Sequence, residues 1–329
     1  MSLEYSAVIR TLGLAGEKYM RLLKSLDNQT IKPKEILVVL AEGYDLPPER
    51  LGYERYVFSK KGIVSQRSLG AIEADAEYCL FLDDDLEFEP TMVEKLFEPI
   101  KNGSAEVTFP IIPEMVPRTT FKSVFSILDS SSCPILFNRD ACYTKVMMNG
   151  GWKYNEAIDI EHQKCYTAET APGACYLVKK EFAQRIRFEE EVWLELAAFS
   201  LPDDQINFYK YHCLGYRIMG ISGCDITHLD GAVHNYKRKQ NAVYALSKHH
   251  VIFWHRFIYK PSKNCIYKFF SFIYFLYWLI ASTLTTTLIY LVTNRHLLYV
   301  RHITGWFDGI KYLFNKDYKN LPIVRKENY

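Results

Sequence analysis

The chain has 329 residues, 49% of them hydrophobic, enough for one large core with a smaller appendage and too apolar for a disordered chain. Its 40 lysines and arginines are nearly cancelled by 38 aspartates and glutamates, which removes the basic excess a dedicated nucleic-acid binder needs. Eight cysteines with no Cys-x-x-Cys pair read as the unpaired thiols of a reduced, cytosolic protein and argue against a structural zinc site.

Met1-Ser2-Leu3-Glu4 runs directly into a strand pattern without the basic and apolar regions of a signal peptide, so the amino-terminal domain is expected to stay in the cytoplasm. Tyr5 to Arg10 is the first strand, and Tyr19, Leu22, Leu23 and Leu26 mark one face of a helix from Lys18 to Asp27. Ile36-Leu37-Val38-Val39-Leu40 is a continuous apolar run, the pattern of a parallel strand covered on both faces. A short strand at Arg55 to Phe58 and a helix at Ser65 to Ala74 lead to a buried strand, Tyr78 to Leu82, which ends in Asp83-Asp84-Asp85. A helix from Thr91 to Lys101 and a strand near Val107 to Ile111 complete the alternation. This order predicts an α/β fold, a doubly wound and mostly parallel sheet, with the ligand crevice at the carboxyl ends of the strands where the triple aspartate falls.

From Pro113 to about Thr170 prolines, serines and aromatics replace periodicity, as in a segment that shapes an acceptor site. A strand at Ala174 to Val178, helices near Lys180 to Arg187 and at Gln205 to Cys213, and a strand at Arg217 to Ile221 follow. Phe269 to Val292 carries no charge and is long enough to cross a bilayer. Lys260, Lys263 and Lys268 precede it and Arg295, Arg301 and Lys311 follow, so the cations choose no orientation. A helix, or a bent pair, lying in the cytoplasmic leaflet accounts for cations on both sides; a buried core helix is the plain alternative. The expected organisation is a catalytic domain over 1–235, with a donor half at 1–112 and an acceptor half at 113–235, and a carboxy-terminal hydrophobic helical extension over 236–329.

Three adjacent carboxylates after a buried strand raise one another's pKa and call for a positive partner. A divalent cation shared with a diphosphate is the usual one for Mg2+ or Mn2+, against the plain alternative of a solvated acidic loop. A calcium-loop reading of Asp83, Asp85, Glu87, Glu89 and Glu94 fails on Phe88, which stands where the turn requires glycine.

The ordered set Ile9-Arg10-Thr11, Leu22 to Thr30, Pro33 to Val39, Gly62 with Arg67, Phe81 to Asp85, Pro172 to Val178, and Asp203-Asp204 with Gly215 to Ile218 resembles the inverting A-type-fold nucleotide-sugar glycosyltransferases of family two. The resemblance spans most of residues 5 to 230. It implies that Asp83 contacts the donor ribose or the metal surroundings, that Asp85 holds the metal with the diphosphate, and that Asp84 is turned into the protein. It further implies Thr11 and Glu42 at the nucleoside pocket, Arg67 on the donor side and His228 completing the metal or phosphate site. Gly173, Ala174 and Asp203 fall to the acceptor, and Asp204, second of the acidic pair, is the catalytic base. The residue-level alternative for the pair is a helix N-cap, and for His228 an ordinary loop histidine. A helix amino end favours an ionised Asp204. Two departures touch the donor pocket: Leu40-Ala41-Glu42-Gly43 replaces an acidic turn, and Gln66-Arg67-Ser68 replaces Ala-Arg-Asn.

The expected activity is inverting transfer of a sugar from a nucleotide diphosphate to an acceptor hydroxyl, the acceptor a lipid-linked glycan of cell-surface polysaccharide synthesis and the place the cytoplasmic face of a membrane. The competing classes are a non-catalytic nucleotide-sugar-binding scaffold at the membrane and a nucleotidyltransferase. Against the latter, Thr11-Leu12-Gly13-Leu14-Ala15-Gly16 contains no lysine or arginine for a phosphate loop.

Overall fold

The computed structural model describes residues 3–116, 142–155, 157–229, 236–293 and 296–324. Its centre is a ten-stranded sheet in the order β3-β2-β1-β4-β10-β6-β11-β9-β7-β8. The strands are β1 Tyr5–Thr11, β2 Glu35–Ala41, β3 Arg55–Ser59, β4 Tyr78–Leu82, β6 Val107–Pro110, β7 Cys142–Val146, β8 Trp152–Tyr154, β9 Cys165–Ala168, β10 Cys175–Lys179 and β11 Ile218–Ile221. β1 to β4 are mutually parallel, and β10 runs antiparallel to its neighbours β4 and β6.

The uninterrupted apolar runs are explained by two cores. Val8, Leu37, Val39 and Phe81 point into one, while Ala7, Ile9, Ile36, Val38 and Leu80 point into the other, so alternate residues of each strand are buried on opposite faces. Helices α1 Glu17–Asp27 and α3 Met92–Lys101 bring Leu22, Leu23, Leu96 and Phe97 to the second face. Helix α2 Ile63–Glu73 lies on the first, where Gly70 is so close to the sheet that a Cβ would stand 2.4 Å from Val8 Cγ1. A two-stranded ribbon pairs β5 Leu86–Phe88 with β12 Ile226–His228 in antiparallel register, His228 opposite Leu86.

Between 113 and 170, where the periodicity predicts no element, the described residues form β7, β8 and β9 at one end of the sheet. Such short strands carry too few residues to establish a period. Helix α4 Lys180–Arg185 and a 3-10 segment, Phe188–Leu196, precede α5 Asp203–Cys213.

The carboxy-terminal part is α6 Tyr236–Phe253, a π-helical turn Trp254–Tyr259, α7 Cys265–Val292, α8 His296–Leu313 and α9 Lys316–Asn320. The three spans expected from sequence interleave. β10 and β11 enter the sheet beside β4 and β6, and Val251, Phe253, Trp254 and Phe257 belong to the same core as Val8 and Phe81. Gly305 and Gly309 let α8 rest directly on the backbone of α6, since a Cβ at either would lie 2.6 or 2.7 Å from the carbonyl oxygen of Tyr244 or Lys248.

Helix α7 is one unbroken helix, not a bent pair, capped by the Asn264 side chain on the Ile266 and Tyr267 amides. Its buried residues Ser271, Phe275, Trp278, Ser282 and Thr285 form one narrow seam, with spacings of three and four. Ile280, Leu284, Leu288 and Leu291 are each more than half exposed. The polar side chains thus face the protein and the aliphatic ones face outward. The hydroxyls of Ser282, Thr283, Thr285 and Thr287 return hydrogen bonds to carbonyls of their own helix at 2.5–3.3 Å.

Candidate active site

The carboxyl ends of β1 and β4 open onto a cleft of about 910 Å3. Thr11 closes β1. Its Oγ1 donates to Asp84 Oδ2 at 2.5 Å and accepts from the Gly13 amide, while Gln66 Nε2 donates to the carbonyls of Thr11 and Val39 and ties the ends of β1 and β2 together. Arg10, Thr11, Lys18, Lys61, Asp84 and Asp85 line the cleft, with Glu195 and Arg238 from later segments.

Asp85 follows β4, and the pairing of β5 with β12 brings His228 to it. His228 Nε2 lies 3.0 Å from Asp85 Oδ1, and the Leu229 amide donates to the Asp85 carbonyl. One ligand atom each from Asp83, Asp85 and His228 falls within 4.8 Å of the others. His228 Nδ1 is buried without a partner. Burial opposes protonation of His228, but the hydrogen bond to Asp85 together with the Asp85, Asp83 and Asp204 charges outweighs it and holds the imidazole above its ordinary pKa. Two carboxylates and an imidazole converging this closely fit a divalent cation, whose charge would replace that proton.

Behind the cleft, two arginines organise the remaining carboxylates. Arg10 Nη2 lies 2.5 Å from Asp83 Oδ1 and 3.9 Å from Asp204 Oδ1. Arg67 Nη2 lies 2.6 Å from Asp204 Oδ1 and its Nη1 3.3 Å from Asp203 Oδ2. Asp203 is almost fully buried, whereas the Asp204 side chain keeps 21% of its surface exposed. Burial, and then the neighbouring Asp204 charge, push Asp203 up to about 7. Burial acts on Asp204 too, yet Arg67 and Arg10 outweigh it and hold Asp204 below the usual carboxylate range. The two adjacent aspartates are therefore split, with Asp204 ionised at neutral pH and chemically able to accept a proton. The decisive cause is the arginine pair.

Gly173 stands against this carboxylate: a Cβ there would lie 2.0 Å from Asp204 Cγ. The next residue, Ala174, adopts a left-handed φ of 108°, a strained conformation for a side-chain-bearing residue, and its carbonyl accepts from the Asp83 amide at 2.8 Å. The pair expected at the acceptor thus joins the backbone of Asp83 to the side chain of Asp204.

Three expected placements differ. Asp84, expected to turn into the protein, lines the cleft. Burial, with the Asp83 and Asp85 charges, holds it up at about 6 despite the Thr11 hydrogen bond. Glu42, expected at the nucleoside pocket, is exposed beyond the end of β2 and is not part of the cleft wall. Arg67, expected on the donor side, is buried under the rings of Phe188 and Tyr176 at 5.3 and 5.9 Å and serves Asp203 and Asp204. Arg10 and Gln66 stood out in the sequence only as motif positions without a role, and Glu195 and Arg238 carried no signal there. Glu195 accepts from the amide and hydroxyl of Ser65 near the start of α2, and a Cβ at Gly62 would lie 2.2 Å from its carboxylate. That Gly62 fits the cleft wall was legible only as a motif glycine; its partner 133 positions later was not.

Residues 20–126 match the description Glycosyl transferase family 2. That segment, about a third of the chain, is similar to the family's model. A curated relative, the cholesterol galactosyltransferase of Borreliella burgdorferi, is 32% identical over 103 residues, a match covering 28% of each chain. The chain therefore spans under a third of that relative's length. Among solved structures, GalNAc-T7 with UDP, GalNAc and Mn2+ superposes with a TM-score of 0.48 at 15% identity, over 82% of this chain and 55% of the other. Residues 1-349 of S. aureus TarS in complex with UDP-GlcNAc superpose with a TM-score of 0.45 at 10% identity, over 94% and 92%.

Proposed function

We propose that this protein is an inverting, divalent-metal-dependent glycosyltransferase. In this reading it moves a sugar from a nucleotide diphosphate to a hydroxyl of a lipid-linked acceptor at the cytoplasmic face of a membrane, in the synthesis of a cell-surface polysaccharide. The observation that carries the reading is the position of Arg10, one nitrogen of which reaches both Asp83 of the metal-competent trio and Asp204 of the acidic pair. A site for a diphosphate and a proton acceptor are thereby held together at the head of one sheet. Asp204 takes the acceptor proton as the hydroxyl oxygen attacks the anomeric carbon, and the bond from that carbon to the diphosphate oxygen breaks. A bound Mg2+ or Mn2+ would stabilise the charge that grows on the departing diphosphate. Lys18, Lys61 and Arg238 in the cleft wall add to that field.

The lipid part of the reading is supported by the outward aliphatic face of α7, and the cholesterol acceptor named for the partial relative is in keeping with it. Purified protein is to be incubated with a panel of nucleotide sugars, Mn2+ or Mg2+, and membrane lipid extract. Release of nucleoside diphosphate with labelled lipid is the expected result. Pyrophosphate release would instead mean nucleotidyl transfer, and binding without turnover a scaffold. In the same assay Asp204→Asn, which keeps shape and loses the basic oxygen, should abolish transfer while leaving donor affinity nearly intact.

A further inference from the structure

We propose that His249 is a positioning residue for the catalytic carboxylate, holding the entry of α5 and with it the direction of Asp204. The proposal rests on the transferase reading above. His249 comes from α6, outside the sheet, and is fully buried. Its Nδ1 lies 2.6 Å from the Leu201 carbonyl oxygen, two residues before α5 begins, and its Nε2 has no partner. A carbonyl oxygen only accepts, so Nδ1 carries the hydrogen and donates it, which fixes the tautomer. Burial keeps the ring neutral by lowering its pKa to about 4.

Three features make this more than a packed ring. A phenyl ring would fill the same space without an orphaned nitrogen, so packing alone does not account for an imidazole here. The N-cap position of α5 is Pro202, which has no side-chain oxygen to cap the first turn, so the helix start must be held from outside. Other holds are Arg67 on Asp203 and Asp204, Arg10 on Asp204, Thr170 Oγ1 on the Gln205 carbonyl at 2.8 Å and Tyr154 on the Gln205 side chain, all further into the helix than His249. The imidazole is itself fixed edge-on to Trp193, with centroids 5.3 Å apart and planes at 79°. Trp193 Nε1 in turn donates to the buried carboxylate of Glu191. The chain of contacts from Glu191 through Trp193 and His249 ends on the backbone that carries the base.

The test compares His249→Phe, which keeps a ring and loses the donor, with His249→Asn, whose side-chain amide can donate from nearly the position of Nδ1. The probes are UDP-galactose and UDP-N-acetylglucosamine with Mn2+, read as UDP released in the presence of lipid extract. His249→Phe should lower kcat by about 10- to 100-fold with KM for the nucleotide sugar and the thermal midpoint unchanged, the cost of a base displaced by a fraction of an ångström to an ångström. His249→Asn should recover most of the loss. Hydrogen exchange of the amides of 203–207 should rise in the Phe variant and stay at the wild-type level in the Asn variant. Wild-type kcat in His249→Phe, equal loss in both variants, or unaltered exchange in the Phe variant would each overturn the proposal. Asp204→Asn is assayed alongside. If it turns over normally the assignment of the base fails, and the exchange measurement still decides whether His249 holds the helix.

Discussion

Asp85 and His228 lie 143 positions apart in the chain, yet they meet because two three-residue strands, β5 and β12, pair with each other. If a cation replaces the proton between them, Asp85→Ala should lower turnover by about 100- to 1000-fold, the scale of losing one contact to the charge that develops in the transition state. Full wild-type activity in excess chelator would sink the metal assignment. At this scale the Asp83-Asp84-Asp85 run points to the crevice by its place after a buried strand, whereas the Asp203-Asp204 pair, a helix N-cap by its local order, is singled out only by the family resemblance. The sequence was unreadable where a role depends on what lies behind. Nothing beside Arg67 in the chain says that two aromatic rings cover it, so a motif arginine expected on the donor becomes the anchor of the acidic pair. Nor does any local pattern mark Glu195, whose partner Ser65 belongs to another helix.

Among the elements, the π-helical turn after α6 bears on stability through one side chain. It delivers Arg256 to Glu191, whose two carboxylate oxygens accept from Arg256 Nε and Nη2 at 2.8 Å, Lys210 Nζ at 2.7 Å and Trp193 Nε1 at 2.6 Å. Burial alone would raise the Glu191 pKa, but the Lys210 and Arg256 charges outweigh it and hold the group at about 2. Because the folded pKa is depressed, the stabilisation is complete above the unfolded carboxylate range and is lost as pH falls from roughly 4.5 towards 2. Glu191→Gln should cost about 3–5 kcal/mol at neutral pH, since it leaves two buried cations short of a counter-charge, and should flatten this part of the acid limb. Thermal midpoints of both proteins across that pH window check it; parallel acid limbs would assign the loss of stability to other carboxylates. The α/β alternation of the first hundred residues was legible because each buried strand is a long apolar run. β7 to β9 were not, and α6 shows no apolar period because Lys237, Arg238 and Lys239 at its start are exposed while Lys248, His249 and His250 near its end are buried by elements distant in the chain, among them Trp193 and Trp278.

For the molecule as a whole, α7 sets how the protein meets its surroundings. It is about 42 Å long at 1.5 Å per residue, more than a bilayer's apolar thickness, and its window of highest hydropathy is only 22% buried. Its first half is packed against the rest of the protein: Ser271 Oγ donates to the Met148 carbonyl and accepts from Trp254 Nε1, and the Trp278 ring stacks on His250 with centroids 3.7 Å apart. Cutting the chain after Tyr259 would therefore strip that packing as well as any membrane anchor, a coupling that hydropathy alone did not reveal. The cleaner test replaces Ile280, Leu284, Leu288 and Leu291 with serine. Each side chain contributes up to about 1.5–3 kcal/mol when fully withdrawn from water, so the quadruple variant should leave phospholipid vesicles in co-sedimentation while keeping its thermal midpoint. Wild-type protein that stays in the soluble fraction without detergent would remove the membrane from the account.

Under the proposed function, the same inside-out helix has a kinetic consequence. A catalyst held in a leaflet meets an acceptor held in that leaflet by lateral diffusion, so the relevant concentration is molecules per unit area and not per unit volume. Diluting the acceptor with inert lipid, at constant total acceptor in the tube, should slow transfer in proportion to its mole fraction. Adding buffer at constant mole fraction should leave the rate per enzyme nearly unchanged for as long as the protein stays on the surface.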